Sequence, residues 1–147
     1  MTKFSNPENL LMPAEWEKQK STWIAWPHNK KDCPNKFDLI PEVFAEIIFH
    51  ISKGQMVNIL IQNNLLKKKA TSILKKFKVN FSNIKFTLCK TDRAWLRDSF
   101  PIFVKDNKSK KFLINWNFNS WAKYKNFKKD NNIIIKIKEI LKLNSIS

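Results

Sequence analysis

A chain of 147 residues is long enough for one domain with a real core, and its 43% apolar residues argue against intrinsic disorder. A single glycine, Gly54, excludes glycine-rich phosphate loops and the usual nucleotide-binding motifs. The net charge of +16 comes from lysines in short, scattered clusters and only two arginines, so we expect a solvated basic surface rather than a nucleic-acid-binding one.

The first part of the chain predicts an extended arm followed by alternating strands and helices. Residues 1–20 are polar and lack a clear period, which is typical of a segment that lies over the surface. Short runs of β-branched and aromatic residues predict strands, whereas apolar residues three and four positions apart predict helices. These patterns predict strands at 21–26, 56–62 and 84–89 and helices at 38–52 and 64–78, with Gly54 as the stop after the first helix.

Each of the two predicted helices should bury one apolar face against the strands. In the first helix we expect that face to contain Val43, Phe44, Ile47, Ile48 and Ile51. In the second helix, whose six lysines would point outward, it would contain Leu65, Leu66, Ala70, Ile73, Leu74 and Phe77.

The rest of the chain predicts a pair of strands and a last helix. Residues 101–105 and 111–118 read as strands joined by the polar turn 106–109. Residues 131–143 fit a helix or a strand, and we favour a helix. Two strand–helix–strand passages make this an α/β chain, a class in which ligands tend to lie beyond the carboxyl ends of strands.

The two cysteines and the N-terminus bear on the compartment. Cys33 and Cys89 form neither a metal-binding spacing nor a disulfide framework, which favours reduced thiols. The N-terminus has polar and charged residues where a signal peptide needs an apolar run, and no apolar stretch is long enough to span a membrane. We therefore expect a cytoplasmic protein with no membrane partner, no metal and no cofactor.

Residues 91–101, which follow the third predicted strand, contain both arginines of the chain. Trp95 and Asp98 are three positions apart, so both could face one pocket. A carboxylate beside an aromatic ring suits a guanidinium or an amine, through charge-assisted hydrogen bonds and cation–π contact. The alternative is that Asp98 pairs internally with Arg93 or Arg97 and that Trp95 belongs to the core. The residues by themselves leave both interpretations open.

Four motifs give the chain a resemblance to a known family. They lie at residues 12–16 (Met-Pro-Ala-Glu-Trp), 23–29, 92–101 with its Trp-x-x-Asp centre, and 115–124. In this order and spacing they resemble the N-terminal part of the agmatine deiminase and bacterial-type peptidylarginine deiminase family. The resemblance implies a pentein-type α/β propeller of five ββαβ modules around a central site. Residues 1–147 would form about the first two modules, as the N-terminal part of a single catalytic domain.

The chemistry that this resemblance implies is hydrolysis of a guanidino group. In the family a cysteine thiolate attacks the guanidinium carbon, ammonia leaves, and water resolves the intermediate with help from a histidine, while acidic residues orient the guanidinium. The resemblance assigns guanidinium binding to Asp98 and a place in the substrate pocket to Trp95. It assigns pocket-lining positions to Asn119 and Trp121.

The chain also departs from the family pattern. The nucleophilic cysteine of the family lies in a glycine-rich setting near the C-terminal end, and the catalytic histidine lies in a His-x-Asp pattern; this chain has neither. Cys33 and Cys89 lack the matching context, and His28 is expected to form structural hydrogen bonds. Phe100 stands where the family commonly has glycine. We therefore expect no catalytic residue in this chain and no activity from the chain alone.

Agmatine is the substrate we favour, converted with water to N-carbamoylputrescine and ammonia in putrescine and polyamine biosynthesis. Peptidyl arginine is the alternative within the family. From other classes, the alternatives are a basic nucleic-acid-binding protein and a non-functional gene fragment, the latter because residues 143–147 carry no recognisable end to the fold. The open sheet and apolar surface of a partial propeller would favour self-association into homo-oligomers.

Overall fold

The computed structural model describes residues 9–146; residues 1–8 of the expected surface arm lie outside the described residues. Three parallel strands form the first sheet, in the order β1 (Ser21–Ala25), β2 (Met56–Ile61), β3 (Ile84–Leu88). The helices α1 (Ile40–Ile51) and α2 (Asn64–Lys76) connect them. Parallel neighbours require such crossovers, so the predicted alternation of strands and helices is confirmed.

The central strand β2 is covered on both sides. Val57, Ile59 and Ile61 pack with buried residues of α1 and α2. Leu60, which points to the opposite face, belongs to a second apolar cluster with residues from the C-terminal half. This alternation follows from the two-residue repeat of a strand. Burial on both faces explains why β2 reads in the sequence as a nearly continuous apolar run.

Local signals in the sequence set the starts of both helices. Pro41 lies in the first turn of α1, where its missing N–H removes no helical hydrogen bond. The side chain of Asn63 accepts a hydrogen bond from the N–H of Leu66 and caps α2. Gly54 follows the last residue of α1, Ile51, by three positions and does not have a positive φ.

Three predicted core positions on the helices are exposed instead. Val43 is 47% exposed, Ile47 is 44% exposed and Leu65 is 66% exposed. With about 100° between successive residues, Ile47 lies roughly 100° and Val43 roughly 140° around the axis from the buried Ile48. Leu65 lies on the opposite side of α2 from the buried Leu74. A helix packed on one sheet buries a narrower stripe than the apolar pattern covers.

The C-terminal half forms a second sheet. After the single turn α3 (Leu96–Ser99), β4 (Ile102–Lys105) and β5 (Lys111–Ile114) pair in antiparallel fashion. The chain then passes through α4 (Lys128–Asn131) and α5 (Ile133–Leu141) to β6 (Asn144–Ile146), which lies parallel to β5. The order β4-β5-α5-β6 is a ββαβ unit, as the resemblance implied.

Two boundaries in this half differ from the sequence prediction. The strand expected to run to residue 118 ends at Ile114, because the following residues turn away toward the short helix Ser120–Ala122. Residues 144–146, to which the sequence analysis assigned no element, form β6. The chain turns back toward β5 at Lys142, which has a left-handed conformation (φ 53°) directly after α5. Within residues 9–146, no helix is both long enough and apolar enough to cross a bilayer.

Candidate functional site

The segment 91–101 leaves the carboxyl end of β3 and passes over the second apolar cluster. Leu96 is buried in that cluster and anchors α3. Trp95 caps this turn and Asp98 lies within it, three positions on. Residues three apart lie on the same side of a helical turn. The single turn thus presents the ring of Trp95 and the carboxylate of Asp98 to the same space.

Hydrogen bonds from the N-terminal motif hold the start of this segment. The His28 ring nitrogens lie 3.2 Å from the carbonyl of Trp26 (Nδ1) and 3.1 Å from the carbonyl of Thr91 (Nε2). The side-chain amide of Asn29 donates to the carbonyl of Asp92 at 3.1 Å. His28 therefore has the structural role that the sequence predicted, and the motif at 23–29 serves the segment 91–101.

Asp130 supports the same segment from the C-terminal side. Its Oδ1 accepts hydrogen bonds from the backbone N–H of Asp92 (2.7 Å) and Arg93 (3.3 Å), and the residue is 1% exposed. Burial raises the pKa of Asp130, although these two hydrogen bonds act in the opposite direction. Asp92 in turn accepts a hydrogen bond from the N–H of Lys129 at 2.9 Å. This role could not be predicted from the sequence, because Asp130 lies in a lysine-rich run without a motif.

The two arginines have different environments. Arg93 is buried and forms an ion pair with Asp32, and its other terminal nitrogen donates to Asn126 Oδ1 at 2.8 Å. Arg97 is exposed and pairs with Glu15 at 2.7 Å. Neither arginine pairs with Asp98, so the alternative of an internal ion pair at Asp98 is wrong. Across residues 9–146, no hydrogen bond or ion pair engages the exposed Asp98 carboxylate.

A cavity of about 410 Å³, open to solvent, lies beside Asp98. Its lining consists of Trp95, Asp98, Trp121, Lys123 and Tyr124. The ring centroid of Trp95 lies 5.1 Å from that of Trp121 and 6.0 Å from that of Tyr124. Three aromatic rings in mutual contact therefore form one wall, and the lining carries one carboxylate, that of Asp98, and one ammonium group, that of Lys123.

An unusual backbone turn places Trp121 in this wall. Ser120, Trp121 and Ala122 have φ values of 56°, 53° and 56°, so three consecutive residues take the left-handed conformation. Such a conformation costs about 1–2 kcal/mol for each residue that has a Cβ. Phe118 packs edge-on against Trp121, with ring centroids 5.1 Å apart. Asn131 bonds to both the N–H and the carbonyl of Phe118 at 2.8 Å. Backbone strain of this kind tends to occur where a side chain must be presented to a site.

The structure brings together three of the four residues that the resemblance assigned to the pocket. Trp95, Asp98 and Trp121 line the cavity, whereas Asn119 is exposed and is not among the lining residues. Asn119 precedes the left-handed turn, and this position directs its side chain to solvent. Tyr124 is a lining residue that we did not assign, although it ends the motif at 115–124.

The cavity has the features of a receptor for a planar cation. A carboxylate can accept two parallel hydrogen bonds from a guanidinium, and aromatic faces attract the same charge. Cys33 and Cys89 are partly buried and do not line the cavity, and burial raises the pKa of the Cys89 thiol. The part of the chain that the structure describes has no cluster of three or more histidine, cysteine or acidic residues that could hold a metal ion.

The chain is similar to a group of known enzymes. The sequence profile of the Porphyromonas-type peptidyl-arginine deiminase family matches residues 11–147. Agmatine deiminase of Pseudomonas aeruginosa is 26% identical over 138 residues, which cover 90% of this chain and 36% of that protein. The chain therefore spans little more than a third of the length of this curated relative.

Solved structures have the same fold as this chain. The agmatine deiminase of Enterococcus faecalis superposes with a TM-score of 0.80 at 23% identity, covering 93% of this chain and 37% of the other. The agmatine deiminase of C. jejuni with substrate bound superposes with a TM-score of 0.75 at 23% identity, covering 94% and 40%. These similarities show the fold, and they confirm the partial pentein-type α/β propeller that the motifs implied.

Proposed function

Because the chain belongs to the Porphyromonas-type peptidyl-arginine deiminase family, we propose that the residues lining its cavity form one wall of a binding site for a guanidino substrate. The observation that carries this proposal is the exposed Asp98 carboxylate, without a partner in residues 9–146, beside the rings of Trp95, Trp121 and Tyr124. In this arrangement the carboxylate accepts two hydrogen bonds from the guanidinium and the rings contact its faces.

The substrate we propose is agmatine, and the reaction is hydrolysis of its guanidino group to N-carbamoylputrescine and ammonia, a step toward putrescine in the cytoplasm. The name of the Pseudomonas aeruginosa relative supports this choice. The name of the family supports the alternative, peptidyl arginine. Both compounds present the same guanidinium to Asp98 and differ only at the distal end.

Hydrolysis requires more groups than the side chains that line this cavity. A guanidinium carbon is a poor electrophile, so it needs a strong nucleophile and a base at close range. Cys33, Cys89, His28 and His50 are absent from the cavity lining. We therefore propose that the 147-residue chain binds the guanidinium and does not hydrolyse it without groups from outside this chain.

A titration of the purified chain with agmatine and butylguanidine tests the proposal, with binding followed by NMR. Asp98→Asn should weaken binding of both ligands by roughly ten- to a hundredfold, because a hydrogen bond to a charged group contributes about 1.5–3 kcal/mol. Asp38→Asn is the matched control. It removes the same charge, but Asp38 is exposed and lies outside the cavity. Equal binding by Asp98→Asn and wild type would contradict the proposal, and ammonia release by the chain alone would contradict the expected lack of hydrolysis.

One observation favours a second candidate function, binding of nucleic acid. The helix α2 contains no acidic residue, and Lys67, Lys68 and Lys75 lie with Thr71 around a second open hollow on its surface. Such a face can neutralise phosphates, and its binding to any duplex should weaken steeply as salt rises. A filter-binding titration at low and moderate salt tests this, and absence of binding at both removes this candidate.

A further inference from the structure

The buried Arg93 lies directly behind the aromatic wall of the cavity. Its guanidinium carbon is 4.2 Å from the ring centroid of Tyr124 and 5.3 Å from that of Trp95. Arg93 is 2% exposed and the side chain of its partner Asp32 is 7% exposed. Two of the three rings that line the cavity thus already contact a cation of the protein itself.

The contacts of Arg93 join three distant segments. Asp32 lies in the short helix Lys30–Asp32 that precedes α1, and Asn126 lies in the loop before α4. Arg93 bonds to both of them while its planar group stacks on Tyr124. Only arginine can form a two-sided hydrogen-bonding fork and stack on a ring at the same time, whereas lysine offers a point charge. This explains why a chain so rich in lysine has arginine here.

We infer that Arg93 is a positioning residue for the guanidinium site proposed above and that Asp32 cancels its charge, so that the aromatic wall can receive a second cation. Among the described residues, only Arg93 contacts both Tyr124 and Asp32 directly. Without the charge of Asp32, an uncompensated guanidinium would lie beneath the rings and repel a cationic ligand. The inference rests on the proposed function for the identity of the ligand, but the support of the rings by Arg93 does not depend on it.

The charge role can be tested with two ligands of the same shape. Butylguanidine is a cation at neutral pH, whereas butylurea is its neutral isostere. Asp32→Asn should weaken binding of butylguanidine at least about fivefold, the scale of a coupling of 1 kcal/mol, and leave binding of butylurea unchanged. Glu15→Gln, at the exposed pair with Arg97, is the matched control and should change neither. Equal weakening of both ligands by Asp32→Asn would overturn the charge role.

The positioning role can be tested without any ligand. Tyr124 is the only tyrosine of the chain, so 3-fluorotyrosine labelling gives a single ¹⁹F resonance that reports on this ring. Arg93→Met should move this resonance toward its position in the unfolded chain, while the methyl resonances of Ile59 and Ile137 in the two apolar clusters stay in place. Arg97→Met, at the exposed arginine, should leave the tyrosine resonance unchanged.

A second variant keeps the test decisive if Arg93→Met does not fold. Arg93→Lys retains the charge but loses the planar fork, and it should move the Tyr124 resonance in the same direction by a smaller amount. A resonance that stays in place in a folded Arg93 variant overturns the positioning role. If wild type binds neither butylguanidine nor agmatine, the proposed function fails, and the ¹⁹F measurement still decides whether Arg93 holds the ring.

Discussion

The indole ring of Trp95 lies 5.1 Å from that of Trp121, at an interplanar angle of 59°, although the two residues belong to different segments. Trp95 comes from the turn after β3, and Trp121 comes from the left-handed turn after β5. Their contact joins the first sheet unit to the second. The cavity beside Asp98 exists because these two turns meet.

The aromatic wall should contribute measurably to cation binding. Trp121→Leu should weaken binding of butylguanidine by roughly two- to thirtyfold, because cation–π contacts contribute about 0.5–2 kcal/mol. An NMR titration measures this change. Trp116→Leu is the matched control, since Trp116 is 70% exposed and does not line the cavity. Equal affinity of the Trp121 variant and wild type would show that this ring does not contact the ligand.

The two arginines should differ strongly in their effect on stability. Arg93→Met should lower the free energy of unfolding by about 3–5 kcal/mol, because it leaves Asp32 buried without its partner. Arg97→Met should lower it by less than about 1 kcal/mol, because its pair with Glu15 is exposed to solvent. Urea denaturation followed by circular dichroism compares them. A similar loss in both variants would contradict the distinct roles.

A substitution in the left-handed turn 120–122 should stabilise the protein, whereas the arginine substitutions should destabilise it. Ala122→Gly should raise the free energy of unfolding by up to about 1 kcal/mol, because glycine takes a positive φ without strain but loses more chain entropy on folding. Ala70→Gly, in the interior of α2, should lower it by more than about 1 kcal/mol, because the buried methyl group is lost in addition to the helix propensity of alanine. Thermal unfolding measures both variants. If Ala122→Gly destabilised the chain as much as Ala70→Gly, Ala122 could not have the left-handed conformation in solution.

The raised pKa of Asp130 makes stability depend on pH. Burial is its main cause, the nearby Asp92 adds to it, and the backbone hydrogen bonds and His28 oppose it. An acid whose pKa is higher in the folded state is protonated in both states at low pH. The contribution of protonated Asp130 to the free energy of unfolding is therefore fully present below the unfolded pKa, about 3.9. It is lost as pH rises through the raised folded pKa.

Asp130→Asn tests this dependence. Its amide oxygen can still accept from the N–H groups of Asp92 and Arg93, but it does not ionise. The free energy of unfolding of the variant, relative to wild type, should therefore increase between pH 4 and neutral pH. Denaturation curves at several pH values measure the difference. A difference that stays constant over this range would show that the Asp130 pKa is not raised.

Much of the secondary structure could be predicted because it follows from local pattern. The apolar run of β2, the proline in the first turn of α1 and the asparagine cap of α2 each act within a few residues. The exposed Val43 and Leu65 show the limit of this reasoning. An apolar pattern marks the side of a helix that can be buried, whereas the neighbouring sheet decides how wide a stripe it covers.

The sequence alone determined the α/β class, the family resemblance and the three-residue spacing of Trp95 and Asp98, because these depend on motifs and on positions along the chain. Only the tertiary structure decided that Arg93 pairs with Asp32 and Arg97 with Glu15, leaving Asp98 without a partner among the described residues. It also decided that Trp121 and Tyr124 complete the wall, while Asn119 does not line the cavity. Ion pairs and ring contacts between distant segments depend on how the two sheet units pack, and no local pattern records that packing.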